Sequence, residues 1–310
     1  MRSSIVRDHA RGGAWIRGVY QPPPLILAKR GRRSIFVRQP PSRGAWAFLD
    51  ELVAGARRVA VLRAIASTVR MIGRPRELAR ELSVVDVERI PMRELVPVRR
   101  PPAYTTMKNY VGMYPILDPQ GFYRVWHESL LEAAHLRELE WAGVLDINAQ
   151  VLRLEWEVFS GRYVYAYPDF IFRYNGQITI VSVGARRFLH ERRRLQYDLI
   201  SLVCEMFGWR HEVGLDDISL PRQRNLRYLM GQRETLTGEP QLGPAAPDLL
   251  SFWTLANLEG GDWIGTSRAT ARLWRREYTF DLDDYLEDTT VMHLGGLVPP
   301  VRHTWEVVGR

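Results

Sequence analysis

Apolar positions recur along this chain with two different periods, and the switches between them mark out its elements. From Ala45 to Met71, "AWAFLDELVAGARRVAVLRAIASTVRM" sets Leu49, Leu52, Val53, Ala56, Ala60 and Ala64 near 3.6-residue spacing, which predicts a helix. Pro75 suits the first turn of a second helix, "RELAREL". The prolines of "PVRRPP", Pro97 to Pro102, exclude helix and mark a linker. A strong helical pattern follows in "RVWHESLLEAAHLRELEWAG", Arg124 to Gly143, ending on glycine. The period then drops to two. "VLRLEWEVF", "YVYAYPDFIFRY" and "QITIVSV" alternate as strands, the last two joined across Asn175-Gly176, a strong signal for a two-residue hairpin turn. "RRFLHERRRLQYDLISLVCEMFGW" returns to the helical period.

Helix, three strands and helix in that order predict an α/β core with a mixed sheet. A last segment begins near Leu220. It holds "NLRYLMGQR", a Gly/Pro-rich break at Gly238–Pro247, the helical "PDLLSFWTLANLEGG" and "TSRATARLWRR", and a strand pair around "YTFDLDDYLEDTTVMHL". The expected organisation is a basic arm over 1–44, a helical N-terminal region and linker over 45–102, a core over 103–219 and a C-terminal unit over 220–310.

Charge changes the picture at one end. Residues 1–44 carry nine arginines and Lys29 against the single acid Asp8, while the whole chain is only +8. The excess charge therefore sits on one arm, too proline-rich for a helix, which is expected to stay extended until it orders on a polyanion, most simply nucleic acid. Arg30, Arg32, Arg33 and Arg38 are its candidate phosphate contacts. Arginine outnumbers lysine throughout, with only Lys29 and Lys108 present, as GC-rich codon usage produces. The single cysteine, Cys204, rules out an internal disulfide and a Cys-based zinc site. No apolar run approaches the roughly 20 residues that span a bilayer, and no signal-peptide pattern opens the chain. A soluble cytoplasmic protein with no membrane partner is expected.

The hairpin raises the question of chemistry. With Asn175 and Gly176 as the central turn residues, Tyr174 faces Gln177 and Asp169 falls opposite Ser182. Gly184 shares the face of Ser182, one pair further on. Cross-strand Cβ atoms lie about 4.5–5.5 Å apart, close enough for two carboxylates to share one Mg²⁺. A metal-dependent nuclease would place two acids and a lysine at those three positions, the lysine orienting water or offsetting phosphate charge. Glu128 and Glu132, four apart in the preceding helical pattern, are candidates for a further acid from one helix face. Arg186 and Glu191, just after the strand, are possible substitutes for the missing lysine and acid. Arg192, Arg193 and Arg194 form either a solvated helix face or a phosphate-contacting one.

These residues together resemble the TnsA-type endonuclease subunit of heteromeric transposases, in particular a tryptophan- and arginine-rich TnsA-like family. The likeness runs through Ser129–Trp141, Val144–Trp156, Pro168-Asp169, Ser182-Val183-Gly184 and Cys204–Trp209, and continues into "NLRYLMGQR" and "ATARLWRREYTFDLDDYLEDTTVMHL", so it covers about Arg124 to Leu294. It implies a restriction-endonuclease-like PD-(D/E)xK core, a mixed sheet flanked by helices, followed by a small winged-helix-like domain. It implies Glu132 and Asp169 as the first two ligands of Mg²⁺ or Mn²⁺, if the chain is active. Ser182 stands where that family has an acid or glutamine, and Gly184 where it has lysine. Gln150-Val151 replaces a Gln-Pro pair. The implied function is a transposition subunit that binds double-stranded transposon-end DNA and bridges a TnsB-like transposase and a TnsC-like ATPase, with hydrolysis impaired. Two alternatives stay open: an active Mg²⁺-dependent endonuclease with relocated ligands, and a non-enzymatic DNA-binding or interaction protein of a mobile element or phage. Arg268 and Arg272 would lie on the polar side of a helix capped by Thr266 or Ser267, where such a helix can enter a major groove. The five acids of "DLDDYLED" favour protein contact for the strand pair beyond it.

Overall fold

Period-two alternation makes strands earlier in the chain than the sequence pattern suggested. The computed structural model describes residues 6–8, 13–16, 19–21, 43–54, 58–75, 80–99, 110–119, 121–159, 162–235 and 249–295. Where an extended arm was expected, β1 (Val6–Asp8), β2 (Gly13–Ile16) and β3 (Val19–Gln21) pair as an antiparallel meander. The proposed arm contacts Arg30, Arg32, Arg33 and Arg38 lie outside the described residues.

The expected long helix is two, α1 (Arg43–Leu52) and α2 (Arg58–Ala66), flanking Gly55, a poor interior helix residue. Of the second expected helix, the described residues, Arg80–Leu82, form a strand. β4 (Arg70–Gly73) and β5 (Arg80–Leu82) pair antiparallel, with Leu82 opposite Met71 and both buried. Pairing and burial here outweigh the helical preference of "RELAREL". A short helix, α3 (Val84–Arg89), follows behind a capping box between Ser83 and Asp86.

The helix expected from Arg124 is also shorter. β6 (Gly112–Asp118) and β7 (Gly121–His127) form a hairpin, in which Val125 and His127 point inward while Arg124 is exposed. Only then does α4 (Leu130–Trp141) begin, with Ser129 as its N-cap. Gly143, at φ 83°, ends it: Gly143 N–H donates to Glu140 O and Val144 N–H to Leu139 O.

Two kinked strands carry the core. β8 (Asp146–Ala149) continues into β9 (Leu152–Phe159), and β10 (Arg162–Ala166) continues into β11 (Phe170–Tyr174). β9 pairs with β10, and β8 with β11, so one long antiparallel hairpin bends where Gln150 faces Asp169. β12 (Gln177–Val183) pairs with β11 in the expected register, Tyr174 opposite Gln177 and Phe170 opposite Val181, across Asn175 and Gly176, both at positive φ. α5 (Glu191–Phe207) crosses over and returns the chain as β13 (Arg210–Gly214), parallel to β12. The two four-stranded sheets read β10-β9-β4-β5 and β13-β12-β11-β8.

Side-chain alternation sends the faces of this mixed sheet to different cores. Ile171, Ile178 and Ile180 pack with Leu195, Leu199 and Val203 of α5 and with Leu62 and Ile65 of α2. Phe170, Phe172 and Val181 pack with Leu136 and Leu139 of α4 and with Tyr114 and Val125 of the β6–β7 hairpin. The molecule is thus mixed α/β, with helices on both faces of the central strands.

The C-terminal unit consists of α6 (Leu220–Met230), β14 (Leu249–Ser251), α7 (Phe252–Leu258), α8 (Asp262–Trp274), β15 (Tyr278–Thr279) and β16 (Val291–Leu294), with strand order β14-β16-β15. Its helix α8 starts at Asp262, ahead of the expected cap at Thr266 or Ser267, because Gly261 at φ 68° turns the chain there. The Thr266 hydroxyl instead donates back to Asp262 O at 2.9 Å. No helix among the described residues is long and apolar enough to cross a membrane.

Arg222 of α6 grips Glu138 of α4 through two bonds, Nε at 2.6 Å and Nη2 at 2.9 Å, and is 6% exposed. Truncating one partner of a buried pair leaves the other charge uncompensated, which costs about 3 kcal/mol. Arg222→Ala is therefore expected to lower unfolding stability by about that amount in urea titration, and Glu138→Gln placed on top of it should recover part of the loss.

Candidate functional site

Asp169 sits on the bend because Pro168, with no N–H, cannot extend the ladder on its own side. The Asp169 N–H donates to Val181 O at 3.0 Å, and its C=O accepts the Gln150 N–H at 3.0 Å. Its carboxylate reaches along β12, where Oδ2 accepts the Val183 N–H at 2.6 Å. Burial pushes the Asp169 carboxyl up to about 6, with the charge of Glu128 adding to the shift and the Val183 bond, Arg193 and Arg99 opposing it.

Glu132 arrives from the first turn of α4. Both of its oxygens serve the start of that helix: Oε2 accepts the Glu128 N–H at 2.8 Å and Oε1 accepts the Ser129 hydroxyl at 2.9 Å. The Ser129 oxygen in turn accepts the Glu132 N–H at 3.1 Å. Glu132 is 8% exposed, and burial, followed by the charge of Asp169, pushes its carboxyl up to about 7. Asp169 thus raises the Glu132 carboxyl, while the acid that raises Asp169 is Glu128.

Glu128 does not share a helix face with Glu132, because it precedes the N-cap. It is tethered instead by the Gln150 amide, whose Nε2 donates to its Oε1, and by Arg99 at 3.8 Å. Gln150, at φ 51° and 2% exposed, leaves its Oε1 buried without a hydrogen-bond partner. This orphaned carbonyl oxygen is an acceptor with no donor to meet it.

The two β12 positions are filled by a neutral network. Ser182, 3% exposed, places Oγ 3.0 Å from Nε2 of His211 on β13, and Nδ1 of that ring lies 2.8 Å from Ser201 Oγ on α5. Burial pushes His211 down to about 3, so the ring is neutral at pH 7 and carries one N–H donor and one acceptor for the two hydroxyls. Gly184 has no side chain, and a Cβ built there would meet the Tyr197 hydroxyl of α5 at 3.0 Å.

The proposed substitutes are engaged elsewhere. Arg186 donates to Asp217 Oδ2 at 3.2 Å, and its N–H to Asp216 Oδ1 at 2.8 Å. The Glu191 side chain is 81% exposed and lies 3.8 Å from Arg58. Of the α5 arginines, Arg192 is 3.9 Å from Asp50, while the guanidinium of Arg193 lies 5.6 Å from the Tyr197 ring centre. In the C-terminal unit the surface role expected for Arg272 is corrected: it is 2% exposed, bonded to Glu259 at 2.5 Å and also to Glu277, and it closes that unit internally. Arg268 donates to Glu259 O at 3.1 Å.

A Mg²⁺-class ion takes oxygen donors in a near-octahedral set, usually one or two carboxylates completed by water. Asp169 and Gln150 Oε1 are of the right type. Glu132, however, would have to leave its helix cap, and Ser182 is turned toward His211. Among the described residues, no group of three or more His, Cys, Asp or Glu side chains is gathered as a metal site. The residues as folded do not make up the two-acid, one-lysine arrangement. His211, Ser201 and Tyr197 were not singled out as site residues from the sequence, since their contacts join residues 10 to 29 positions apart on different elements and no local pattern marks them. No family model matches the chain, and no curated protein matches it.

Raised carboxyl values have a sign in stability. A group that protonates more readily when folded contributes stability fully below its unfolded value, and that contribution is lost as pH rises through the folded one. Stability is therefore expected to fall from pH 4.5 to pH 8 by about 3 kcal/mol through Glu132, with Asp169 adding to the lower part of that window. Urea midpoints measured across the range test it, and Asp169→Asn should flatten the profile below pH 6.

Proposed function

We propose that this chain is a TnsA-type subunit of a DNA transposition machine, using a nuclease-like core to hold transposon-end DNA while its hydrolytic chemistry is impaired. The observation that carries this reading is the pairing of a positioned, half-buried Asp169 with a β12 strand whose acid and lysine positions are taken by Ser182, bonded to His211, and by Gly184, covered by Tyr197. The order α4, β8–β9, β10–β11, β12, α5 follows the helix–three-strand–helix order expected from the sequence, and β13 adds a strand parallel to β12, which gives the mixed sheet this reading requires.

The charge distribution supports a nucleic acid as ligand, since the excess lies on the first 44 residues. For the C-terminal unit, contact with protein fits better than contact with DNA. Trp253 and Trp263 are 59% and 76% exposed on α7 and α8, and Arg272 is internal. Such exposed apolar surface suits a transposase or ATPase partner better than a phosphate backbone. No hydrolytic step follows from the side chains as arranged, because nothing on β12 can share a cation with Asp169 or orient water.

A supercoiled plasmid carrying transposon ends, incubated with the chain and Mg²⁺ or Mn²⁺, is expected to stay intact, with Asp169→Ala indistinguishable from the parent. Metal-dependent nicking that Asp169→Ala abolishes would replace this reading with an active endonuclease. Duplex binding is expected to weaken steeply with salt, and removal of residues 1–44 should flatten that slope, as the loss of released counterions requires. A truncated chain with the parent's slope would assign the arm another role.

A further inference from the structure

Gly184 and Tyr197 form a unit that neither the lost lysine nor ordinary packing explains. Tyr197 is 1% exposed, and its hydroxyl is buried with no hydrogen-bond partner. An unsatisfied buried donor costs free energy, and it persists where something else makes use of it. The hydroxyl lies in the space a residue-184 side chain would enter, 3.0 Å from the ideal Cβ position. One residue earlier, the Val183 N–H binds the Asp169 carboxylate at 2.6 Å, so the phenol stands at the Asp169 end of β12. Burial raises the phenol's pKa, with Asp169 adding and Arg193 opposing, so the group stays a protonated donor at neutral pH. Arg193 is one helical turn before Tyr197 on α5. Its guanidinium lies against the Tyr197 ring at 5.6 Å, donates to Gln196 at 3.3 Å, and has no carboxylate within 4 Å among the described residues.

We propose that Tyr197 and Arg193 form a phosphate-binding pair beside Asp169, the phenol taking over the position vacated by lysine and Gly184 leaving it room. The ligand class is a phosphodiester of nucleic acid, and in that respect the proposal rests on the DNA-binding reading above. In the free protein the Arg193 guanidinium rests against the ring of the phenol. Pairing with a phosphate draws the guanidinium off the ring and uncovers the hydroxyl, which then donates to a non-bridging oxygen. Charge and donor arrive from consecutive turns of one helix, i and i+4, so a single phosphate reaches both.

The test uses the full chain and two variants, Tyr197→Phe and Gly184→Ala. Each is measured for binding to a short labelled duplex at fixed salt, for protection against heating by inorganic phosphate, and for melting temperature. Tyr197→Phe removes an unpartnered hydroxyl, so it should melt at or above the parent's temperature while binding duplex about tenfold more weakly. Gly184→Ala, which places a methyl against the phenol, should weaken binding in the same direction with the hydroxyl still present. Protection by phosphate should shrink in both. If Tyr197→Phe binds duplex and responds to phosphate as the parent does, the pair is overturned while the DNA-binding reading stands. If phosphate protects the parent more than Tyr197→Phe but no duplex binds, the pair stands and the DNA reading falls. If phosphate protects neither and no duplex binds, both are overturned.

Discussion

Both strands of the long β-hairpin bend at one rung, where the Gln150 N–H donates to the Asp169 C=O. Gln150 accepts a left-handed backbone there, at φ 51°, a conformation that costs a non-glycine residue about 1–2 kcal/mol. Pro168 interrupts the ladder on the facing strand, so the strain and the missing donor fall together. From this bend β9 and β10 leave toward β4 and β5, while β8 and β11 leave toward β12 and β13. The Val98 N–H closes onto Gln150 O at 2.8 Å, tying the preceding segment to the same point. The Asp169 side chain, the Gln150 amide and the tethered Glu128 carboxylate all owe their positions to this rung.

The fold treats charge differently on either side of that bend. In the C-terminal unit, buried Arg272 is matched by Glu259 and Glu277, and at its junction with α4, Arg222 is matched by Glu138. Such pairs hold a charge out of water because each partner stabilises the other. At the bend, Glu132 and Asp169 are pushed up mainly by burial, and each feels a neighbouring acid. Raised carboxyl values of this kind cluster at functional sites. The neutral Ser182–His211–Ser201 chain behind them adds no charge of its own, so it leaves that imbalance in place.

The hairpin was the most legible part of the chain. Asn175-Gly176 permits two consecutive positive φ values, and that local freedom sets the register of Phe170–Tyr174 against Gln177–Val181 without help from the rest of the molecule. Gly143 likewise marks a helix end through cap chemistry that acts within a few residues, whereas the Ser129 cap, five residues inside the expected helix, went unread. The segments read wrongly share a different cause. "RELAREL" and "RVWH" carry helix-tolerant residues, yet Leu82 and Val125 are buried by strands β4 and β6, and the sheet partner decides their state. Arg272 looked like surface for the same reason, because its partners Glu259 and Glu277 lie outside its own helix.

The sequence by itself determined the order of helix and strand from α4 to α5, the turn at Asn175-Gly176, the placement of Asp169 just ahead of β11, and the concentration of positive charge on the first 44 residues. Those properties arise from backbone preferences and composition, which act locally or simply add. Only the tertiary structure decided that the Glu132 oxygens close a helix cap, that Ser182 turns to His211, and that the Tyr197 hydroxyl fills the space over Gly184. Each of the last two joins elements that meet only when α5 crosses over the sheet. The cap at Glu132 is local in sequence, but its burial against Asp169 is set by the same packing.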